Sequence, residues 1–259
     1  MTPELRLDVV DGIATITIDR PKLRNAITLA MWETIPQVVE TVTHDPAVRA
    51  VVFRGAGERA FAPGADISEF ERVRRDAATA EAYNKTVDAA LSSIQACPKP
   101  TVAMIYGYCV GGGIALAMAT DLRFAADTAR FAIPAARLGI VYSLKATRAL
   151  VHLVGPARAK DLLFSGRTFD AREAEEIGFV NRVVPAATLW AYTVDYLRMV
   201  AANAPLSIRG AKQIVEGVLA GDVEAEKIRT LLLGAFDSHD YREGVRAFLE
   251  RRPPRFQGR

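Results

Sequence analysis

Hydrophobic and polar residues alternate near the N-terminus in a pattern that predicts two β-strands. The strands cover residues 5–10 and 13–19, and in the second of them isoleucine alternates with threonine, which indicates one buried face. Asp11-Gly12 lies between the two runs, and Asp-Gly at such a junction favours a tight hairpin turn. We therefore expect the chain to begin with an antiparallel pair of strands.

Apolar residues then recur at helical spacing over residues 29–42. Thr28 precedes this run, and a threonine side chain at that position accepts a hydrogen bond from an unpaired N–H of the first turn. Pro36 lies inside the pattern and predicts a kink. The segment is predicted to be an amphipathic helix that begins after Thr28.

Strands and helices continue to mix through the first three-quarters of the chain, and the rest is helical. A capping-box signature at Ser68 and Glu71 predicts the start of one long helix. The remaining predicted elements are strands at 50–54, 101–106, 122–125, 130–133 and 180–184, and helices at 68–96, 114–119, from 155 onwards and 170–178. This pattern predicts an α/β body at residues 1–197 and a helical C-terminal region at residues 198–259.

Composition and charge argue against several classes of function. The chain has 259 residues, 50% of them hydrophobic and 24% charged, which is typical of a globular protein. A net charge of +3 gives little support to nucleic-acid binding. No apolar stretch is long enough to span a membrane, and the N-terminus lacks the basic start and apolar run of a secretion signal. We expect a cytoplasmic protein that binds neither nucleic acid nor a membrane.

Cysteine and histidine positions do not indicate a metal or redox site. Cys97 and Cys109 are not spaced as a zinc or disulfide-exchange pair, and their apolar surroundings predict buried thiols. His44, His152 and His239 are scattered and have no carboxylate or nucleophile in a recognisable arrangement. Each histidine is predicted to be structural.

Two glycine-bearing segments each lead into a predicted helix. Residues 60–67 lie between a strand and the capped helix, and residues 107–113 end in three consecutive glycines. The second segment satisfies neither the dinucleotide fingerprint nor the phosphate-loop pattern. Taken singly, each segment is explained either by close packing or by backbone N–H groups that point at an anion.

Together, the motifs resemble those of the enoyl-CoA hydratase/isomerase (crotonase) superfamily, in the same order and over nearly the whole chain. The segments that carry the resemblance are residues 19–26 (DRPKLRNA), 62–67 (APGADI), 98–100 (PKP), 107–113 (GYCVGGG), 153–159 (LVGPARA) and 248–256 (FLERRPPRF). The resemblance implies a spiral of β-β-α units followed by helices used for trimerisation, commonly in a dimer of trimers.

The resemblance also implies a site for acyl-coenzyme A thioesters. The N–H groups that match Ala65 and Gly112 form an oxyanion hole around the thioester carbonyl in that family. The implied coenzyme-binding residues are Lys22, Arg24, Ala26, Ala65, Asp66, Ile67, Ser68 and Gly112. No permanently bound cofactor or metal is expected, because coenzyme A is part of the substrate. The expected partners are an acyl-CoA and further copies of the chain.

This chain departs from the family's hydratases at both of their glutamates. Ala115 stands two positions after the triple glycine, and Ala135 stands after the proline of the Phe-x-x-Pro segment. Because positioned acid–base groups contribute about 10²–10⁴-fold each, efficient hydration of a simple enoyl-CoA is not expected. Enolate chemistry without a carboxylate base, such as decarboxylation or isomerisation, is favoured on physical grounds.

Tyr142 is the candidate for a replacement catalytic group. Residues 138–145 (LGIVYSLK) resemble a segment of methylmalonyl-CoA decarboxylase that carries an active-site tyrosine. That enzyme has histidine where Ala65 stands and glutamate where Ala115 stands, so the match is partial. A tyrosine without a chemical role remains an alternative. A non-catalytic acyl-CoA-binding protein and a member of the family's RNA-binding branch remain rival classes.

Overall fold

The computed structural model describes residues 2–222 and 224–259, and its framework is a mainly parallel β-sheet. This larger sheet contains, in spatial order, β1 (Leu5–Val10), β2 (Ile13–Ile18), β3 (Ala50–Gly55), β5 (Thr101–Ile105), β7 (Leu122–Ala126) and β10 (Arg182–Val184). β1 and β2 are antiparallel, and the later pairings are parallel. The predicted hairpin is confirmed, with positive φ at both Asp11 (52°) and Gly12 (77°).

Three of the four strands of a second, smaller sheet each follow directly after a strand of the larger sheet in the chain. Its spatial order is β4 (Ala60–Ala62), β6 (Tyr108–Val110), β8 (Arg130–Ala132) and β9 (Thr168–Asp170). β3, β5 and β7 of the larger sheet each continue into β4, β6 and β8 of the smaller sheet, and each of these pairs is followed by helix. This repetition is the β-β-α spiral that the sequence resemblance predicted.

Helices cover the sheets and form the C-terminal end. They are α1 (Leu29–His44), α2 (Phe70–Val73), α3 (Ala77–Ala96), α4 (Gly112–Ala119), α5 (Leu144–Ser165), α6 (Ala171–Glu176), α7 (Leu189–Ala201), α8 (Pro205–Ala220), α9 (Ala225–Phe236) and α10 (His239–Leu249). Thr28 caps α1 as predicted, because its hydroxyl accepts from the N–H of Met31 at 3.2 Å. α1 continues through Pro36, and α5 contains a non-helical residue at Gly155, where a helix start was predicted.

The long helix predicted over residues 68–96 is wrong in its first part. The chain makes a 3₁₀ turn at Ile67–Glu69 and the short α2, and then α3 begins after Asp76. The capping box belongs to Asp76 and Thr79, whose side chains each accept from the other's backbone N–H. Asp76 prevails because its carboxylate and the Thr79 hydroxyl satisfy donors of the α3 first turn reciprocally.

Apolar residues pack on both faces of the larger sheet. Val51 and Phe53 of β3 belong to one buried cluster, which contains residues of α1, α3, α4 and α5. Val52 of the same strand points the opposite way and packs with Leu189 and Leu197 of α7. The strand alternation therefore places helices on both sides of the sheet. α7 spans residue 197, where the division into body and C-terminal region was predicted.

The described part of the chain contains no helix that is both long and apolar enough to cross a membrane. Cys97 and Cys109 are buried free thiols, as predicted.

Candidate active site

The loop after β4 is held against the segment that precedes α1. The N–H of Ile27 donates to the carbonyl of Gly64 at 2.9 Å, and the N–H of Asp66 donates to the carbonyl of Ile27 at 2.9 Å. This parallel bridge uses the carbonyl of Gly64 and the N–H of Asp66, so the N–H of Ala65 faces away from Ile27. The pairing thus fixes the orientation of the predicted oxyanion-hole amide.

The second predicted amide lies at the beginning of α4. Gly112 is the first residue of this helix, and the first N–H groups of an α-helix have no partner within the helix. Gly111, which precedes it, has φ 52° and donates its own N–H to Ala132 at 3.0 Å. Within residues 2–222 and 224–259, the N–H groups of Ala65 and Gly112 donate to no carbonyl or side chain.

Ala65 and Gly112 lie next to each other. A Cβ atom built on Gly112 would lie 3.4 Å from the nitrogen of Ala65, and one built on Gly64 would lie 3.5 Å from the nitrogen of Gly112. Two neighbouring N–H groups without an acceptor are suited to bind one oxygen that carries partial negative charge. The structure therefore brings the two predicted amides together.

Gly113 permits this close approach. A Cβ atom at Gly113 would lie 2.2 Å from the carbonyl oxygen of Ala62 and 3.0 Å from its Cβ atom. Such a separation is far below van der Waals contact, so the first turn of α4 can rest on β4 only when residue 113 is glycine.

An ion pair anchors the loop that carries Ala65. Nη1 of Arg20 donates to Oδ2 of Asp66 at 2.7 Å and to the carbonyl of Ala26 at 2.8 Å. Oδ1 of Asp66 accepts from the N–H of Ser68 at 3.0 Å and from its hydroxyl at 2.7 Å. The Ser68 hydroxyl and, more weakly, the Arg20 guanidinium hold the pKa of Asp66 below its ordinary value, against the opposing effect of burial. The Asp66 carboxylate therefore stabilises the conformation of the loop that carries Ala65.

Asn25 is a second anchor, and it explains the asparagine of the N-terminal motif. Its side chain is buried, and Nδ2 donates to the carbonyls of Ala60 at 2.7 Å and Ala56 at 3.1 Å. Its Oδ1 accepts from the N–H of Arg20 at 3.1 Å. Since Ala60 begins β4, this amide connects the N-terminal segment to the strand that carries the loop. The sequence motif was recognised, but neither anchoring role was predicted.

The predicted coenzyme-binding side chains lie at the surface beside this loop. Lys22 is exposed in a 3₁₀ turn, and Arg24 is exposed with φ 53° and its guanidinium 5.8 Å from the ring centre of Tyr108. Ile67 and Ser68 are also exposed, in the turn that follows Ala65. The bridge between Ile27 and Ala65 makes these two segments neighbours.

Tyr142 reaches the same place from a segment remote in sequence. Its hydroxyl donates to the carbonyl of Gly111 at 3.2 Å, and that carbonyl also accepts from the N–H of Ala115 at 3.1 Å. Burial, with a smaller effect of the Cys109 thiol, raises the pKa of Tyr142 well above its ordinary value. Tyr142 is therefore a neutral phenol beside residue 115.

Positions 115 and 135 provide no carboxylate at this site. Ala115 is buried in α4, and Ala135 is half-buried and packs, like Tyr142, against the same apolar cluster. Apolar side chains thus stand at the two sequence positions that match the glutamates of the family's hydratases. Among the described residues there is no group of three or more potential metal ligands.

Trp32 and Tyr83 form a wall of the site that sequence reasoning missed. Cζ2 of Trp32 would lie 3.4 Å from a Cβ atom at Gly112, and Nε1 of Trp32 donates to the hydroxyl of Tyr83 at 3.0 Å. Both residues are buried. Trp32 was predicted as an apolar position of α1, and its helical spacing contains no signal for this second role.

Comparisons with known proteins agree with this architecture. The sequence pattern of the enoyl-CoA hydratase/isomerase family matches residues 8–259. The crotonyl-CoA hydratase of Syntrophomonas wolfei subsp. wolfei is 33% identical over 252 residues, which is 96% of this chain and 96% of that protein.

Two crystal structures resemble the fold closely. One is an enoyl-CoA hydratase/isomerase family protein from Hyphomonas neptunium, with a TM-score of 0.96 and 39% identity over 100% of this chain and 99% of that chain. The other is an enoyl-CoA hydratase/carnithine racemase from Magnetospirillum magneticum, with a TM-score of 0.96 and 36% identity over 100% of this chain and 97% of that chain. On fold, motifs and sequence, the chain belongs to the enoyl-CoA hydratase/isomerase family.

Proposed function

We propose that this chain is an enzyme that binds an acyl-CoA thioester and stabilises its enolate between the N–H groups of Ala65 and Gly112. The observation that carries the proposal is the proximity of these two unused amides, with a Cβ position at Gly112 only 3.4 Å from the nitrogen of Ala65. The relatives, which include a protein named crotonyl-CoA hydratase, support coenzyme A thioesters as the substrate class.

The chemistry follows from where charge develops. When a bond to the α-carbon of a thioester breaks heterolytically, its electron pair moves towards the carbonyl oxygen. Two fixed N–H donors lower the free energy of that oxyanion more than that of the neutral carbonyl. Removing one such donor typically costs about 10²–10³ in rate. The anchors Arg20, Asp66 and Asn25 keep the loop amide in place, so little reorganisation is needed during reaction.

Hydration of a simple enoyl-CoA is not the reaction that this site favours. The methyl side chains of Ala115 and Ala135 can neither take a proton from water nor donate one to the substrate. A second candidate, decarboxylation of a malonyl-CoA-type thioester, is favoured by the position of Tyr142. Loss of carbon dioxide leaves its bonding electrons on the enolate and needs no base. The neutral phenol beside Gly111 is suited to orient the departing carboxylate or to protonate the resulting carbanion.

The coenzyme itself is proposed to lie along residues 65–68, with the cations of Lys22 and Arg24 near its phosphates. Both side chains are exposed and close to the loop that carries Ala65. Their positive charge would attract the phosphates without fixing one geometry.

Acetoacetyl-CoA provides a direct test of the oxyanion hole. Its acidic α-carbon forms an enolate whose near-ultraviolet absorbance reports binding in that form. We expect saturable binding with increased enolate absorbance at neutral pH. Binding of coenzyme A alone with no enolate signal from acetoacetyl-CoA would contradict the proposed role of the two amides.

The reaction is tested by a screen of malonyl-, methylmalonyl- and crotonyl-CoA, with carbon dioxide release and enoyl absorbance as readouts. We expect carbon dioxide from a malonyl-type thioester and little loss of crotonyl-CoA. Tight thioester binding without turnover of any of the three would favour the non-catalytic alternative.

We also propose that further copies of the chain cover the C-terminal helices. α8 and α9 contain no buried residue among those described. Their exposed apolar side chains are Val215, Val218, Leu219, Leu232, Leu233 and Phe236. Apolar side chains left exposed on two helices that contact each other favour association, and the family resemblance predicts a trimer or a dimer of trimers. Sedimentation equilibrium that shows only monomer would contradict this proposal.

A further inference from the structure

The indole of Trp32 lies directly beside the proposed oxyanion hole. Its Cζ2 atom is 3.4 Å from the position that a Cβ atom of Gly112 would occupy, and the nitrogen of Ala65 is 3.4 Å from the same position. Trp32 is only 1% exposed, so solvent does not enter behind the ring. A thioester carbonyl between the two amides would therefore have this ring as its neighbour on the side of α1.

Tyr83 of α3 holds the indole in place. Nε1 of Trp32 donates to the Tyr83 hydroxyl at 3.0 Å, and Tyr83 is 3% exposed. Burial raises the pKa of Tyr83 above its ordinary value, and the charge of Arg74 lowers it less strongly, so the acceptor is a neutral phenol. Because a buried indole N–H without an acceptor is costly, this hydrogen bond fixes the orientation of the ring.

Arg74 covers the outer side of the wall that Trp32 and Tyr83 form. Its Cζ atom lies 4.3 Å from the ring centre of Tyr83 and 4.8 Å from that of Phe70. Across residues 2–222 and 224–259 it forms no ion pair within 4.0 Å, whereas Arg72 and Arg75 each pair with a carboxylate. The guanidinium is thus held by aromatic rings, and it closes the wall towards solvent.

The geometry of a bound thioester would direct its acyl group towards this wall. The carbonyl carbon is planar and carries three substituents, which are the oxygen, the sulfur and the α-carbon. The oxygen points at the two amides, and the sulfur leads to the coenzyme, which is proposed to lie along residues 65–68, where Ile67 and Ser68 are exposed. The α-carbon is then directed away from the surface, where the wall lies.

We propose that Trp32, held by Tyr83, limits the length of the acyl group, so that the substrates are coenzyme A thioesters of short acyl groups. This inference rests on the proposed acyl-CoA function and adds its substrate class and the residue that sets it. A longer chain would meet the indole rather than an open cavity. Since α1 and α3 pack against each other around this ring, it cannot move aside without disturbing the core.

Isothermal titration calorimetry with acyl-CoA thioesters of increasing length tests this limit. Acetyl-, butyryl-, hexanoyl- and octanoyl-CoA differ only in their number of methylenes. Each methylene buried in an apolar pocket raises affinity roughly fourfold, so an open acyl pocket would bind octanoyl-CoA more than about 10²-fold tighter than butyryl-CoA. With the wall in place, almost no methylene is buried, and we expect a gain of no more than about twofold.

Trp32→Leu removes the ring and keeps an apolar residue in α1. Two methylenes buried in the vacated space would raise the ratio of octanoyl- to butyryl-CoA affinity by at least about tenfold. Trp190→Leu in α7 is the matched control, since Trp190 is 43% exposed, and it should leave that ratio unchanged. An equal change of both affinities in Trp32→Leu would show a structural role alone and overturn the inference.

The outcomes separate this inference from the function on which it rests. If wild type binds all four thioesters with an affinity that rises steeply with chain length, only the length limit is overturned. If it binds none of them, the proposed acyl-CoA function fails and the inference fails with it. Should Trp32→Leu not fold, Trp32→Phe, which loses the ring that contains Cζ2, takes its place. An unchanged ratio in that variant would overturn the role of Trp32.

Discussion

Replacing Gly113 with alanine tests whether the contact between α4 and β4 positions the oxyanion-hole amide. The added Cβ atom would lie 2.2 Å from the carbonyl oxygen of Ala62, which is 1.2 Å short of the 3.4 Å at which ordinary contacts begin. The two nearest opposing atoms are backbone and the third is the Cβ atom of Ala62, so no flexible side chain can give way. The first turn of α4, which includes Gly112, must therefore move by about 1 Å relative to the strand.

Two magnitudes follow from that displacement. Overpacking of this kind typically costs about 1–3 kcal/mol of stability, and for a chain of this size that corresponds to a fall in Tm of roughly 2–12 °C. A misplacement of about 1 Å at a catalytic group costs on the order of 10² in rate. We expect the activity to fall far more than the folded population, because the displaced amide is the one that binds the developing oxyanion.

The assay combines thermal unfolding with the enolate absorbance of bound acetoacetyl-CoA. Gly210→Ala in α8 is the control, since a Cβ atom there would meet nothing within 4 Å. That control should keep the enolate signal and should not lower Tm. If Gly113→Ala kept wild-type enolate binding and Tm, the close contact would not hold the amide, and the reasoning would be refuted.

Three further predictions concern Tyr142, Asp66 and the C-terminal tail. Tyr142→Phe removes the phenol and should lower turnover of the active thioester by about 10²–10⁴ while thioester affinity is retained. Asp66→Asn should destabilise the chain at neutral pH. Because the folded pKa of Asp66 is depressed, the ionised carboxylate stabilises the fold above the ordinary value of 3.8, and this advantage disappears as pH falls through the lower folded value. Glu243→Gln should lower Tm and speed proteolysis of the tail, because the buried Glu243 carboxylate accepts from Arg246 and Arg252, each at 2.7 Å.

Each of these variants has an exposed control. Tyr241→Phe should leave turnover unchanged, and equal loss in both tyrosine variants would argue against a specific role for Tyr142. Asp195→Asn, with 73% of its side chain exposed, should show no destabilisation at neutral pH. If the Tm difference between wild type and Asp66→Asn were the same at pH 7 and pH 3, the ion pair would not be its cause. Glu226→Gln should leave tail proteolysis unaltered, and an intact tail in Glu243→Gln would refute the tail prediction.

Local interactions explain why much of the secondary structure could be predicted. The Asp11-Gly12 hairpin, the Thr28 cap of α1 and the Asp170 cap of α6 depend on residues within a few positions of each other. The start of α3 was misplaced because Ser68-x-x-Glu71 and Asp76-x-x-Thr79 are both plausible caps. Asp76 and Thr79 cap α3 reciprocally, whereas Asp66 and Glu69, on either side of Ser68, are engaged with Arg20 and α1.

Most strands of the smaller sheet could not be predicted from the sequence. β4, β6 and β9 have three residues each, too short for a period-two pattern to be visible. They form because neighbouring backbone segments satisfy their N–H and C=O groups, and those neighbours come from distant parts of the chain. Ala65 and Gly112, the two amides of the proposed oxyanion hole, nevertheless follow two of these strands, β4 and β6.

By itself, this sequence determined the hairpin, several helix caps and an α/β body, because glycines and caps act through the local backbone. Its order of motifs identified the superfamily by resemblance, and that resemblance implied the spiral and the two candidate amides. Only the tertiary structure decided that Tyr142 meets Gly111, that Arg20 and Asn25 anchor the loop, and that Arg74 faces aromatic rings without an acid. Those contacts join residues that are dozens of positions apart in sequence, or they distinguish one arginine from neighbouring arginines only by its surroundings. A one-dimensional pattern contains no distance between such side chains, and packing alone provides it.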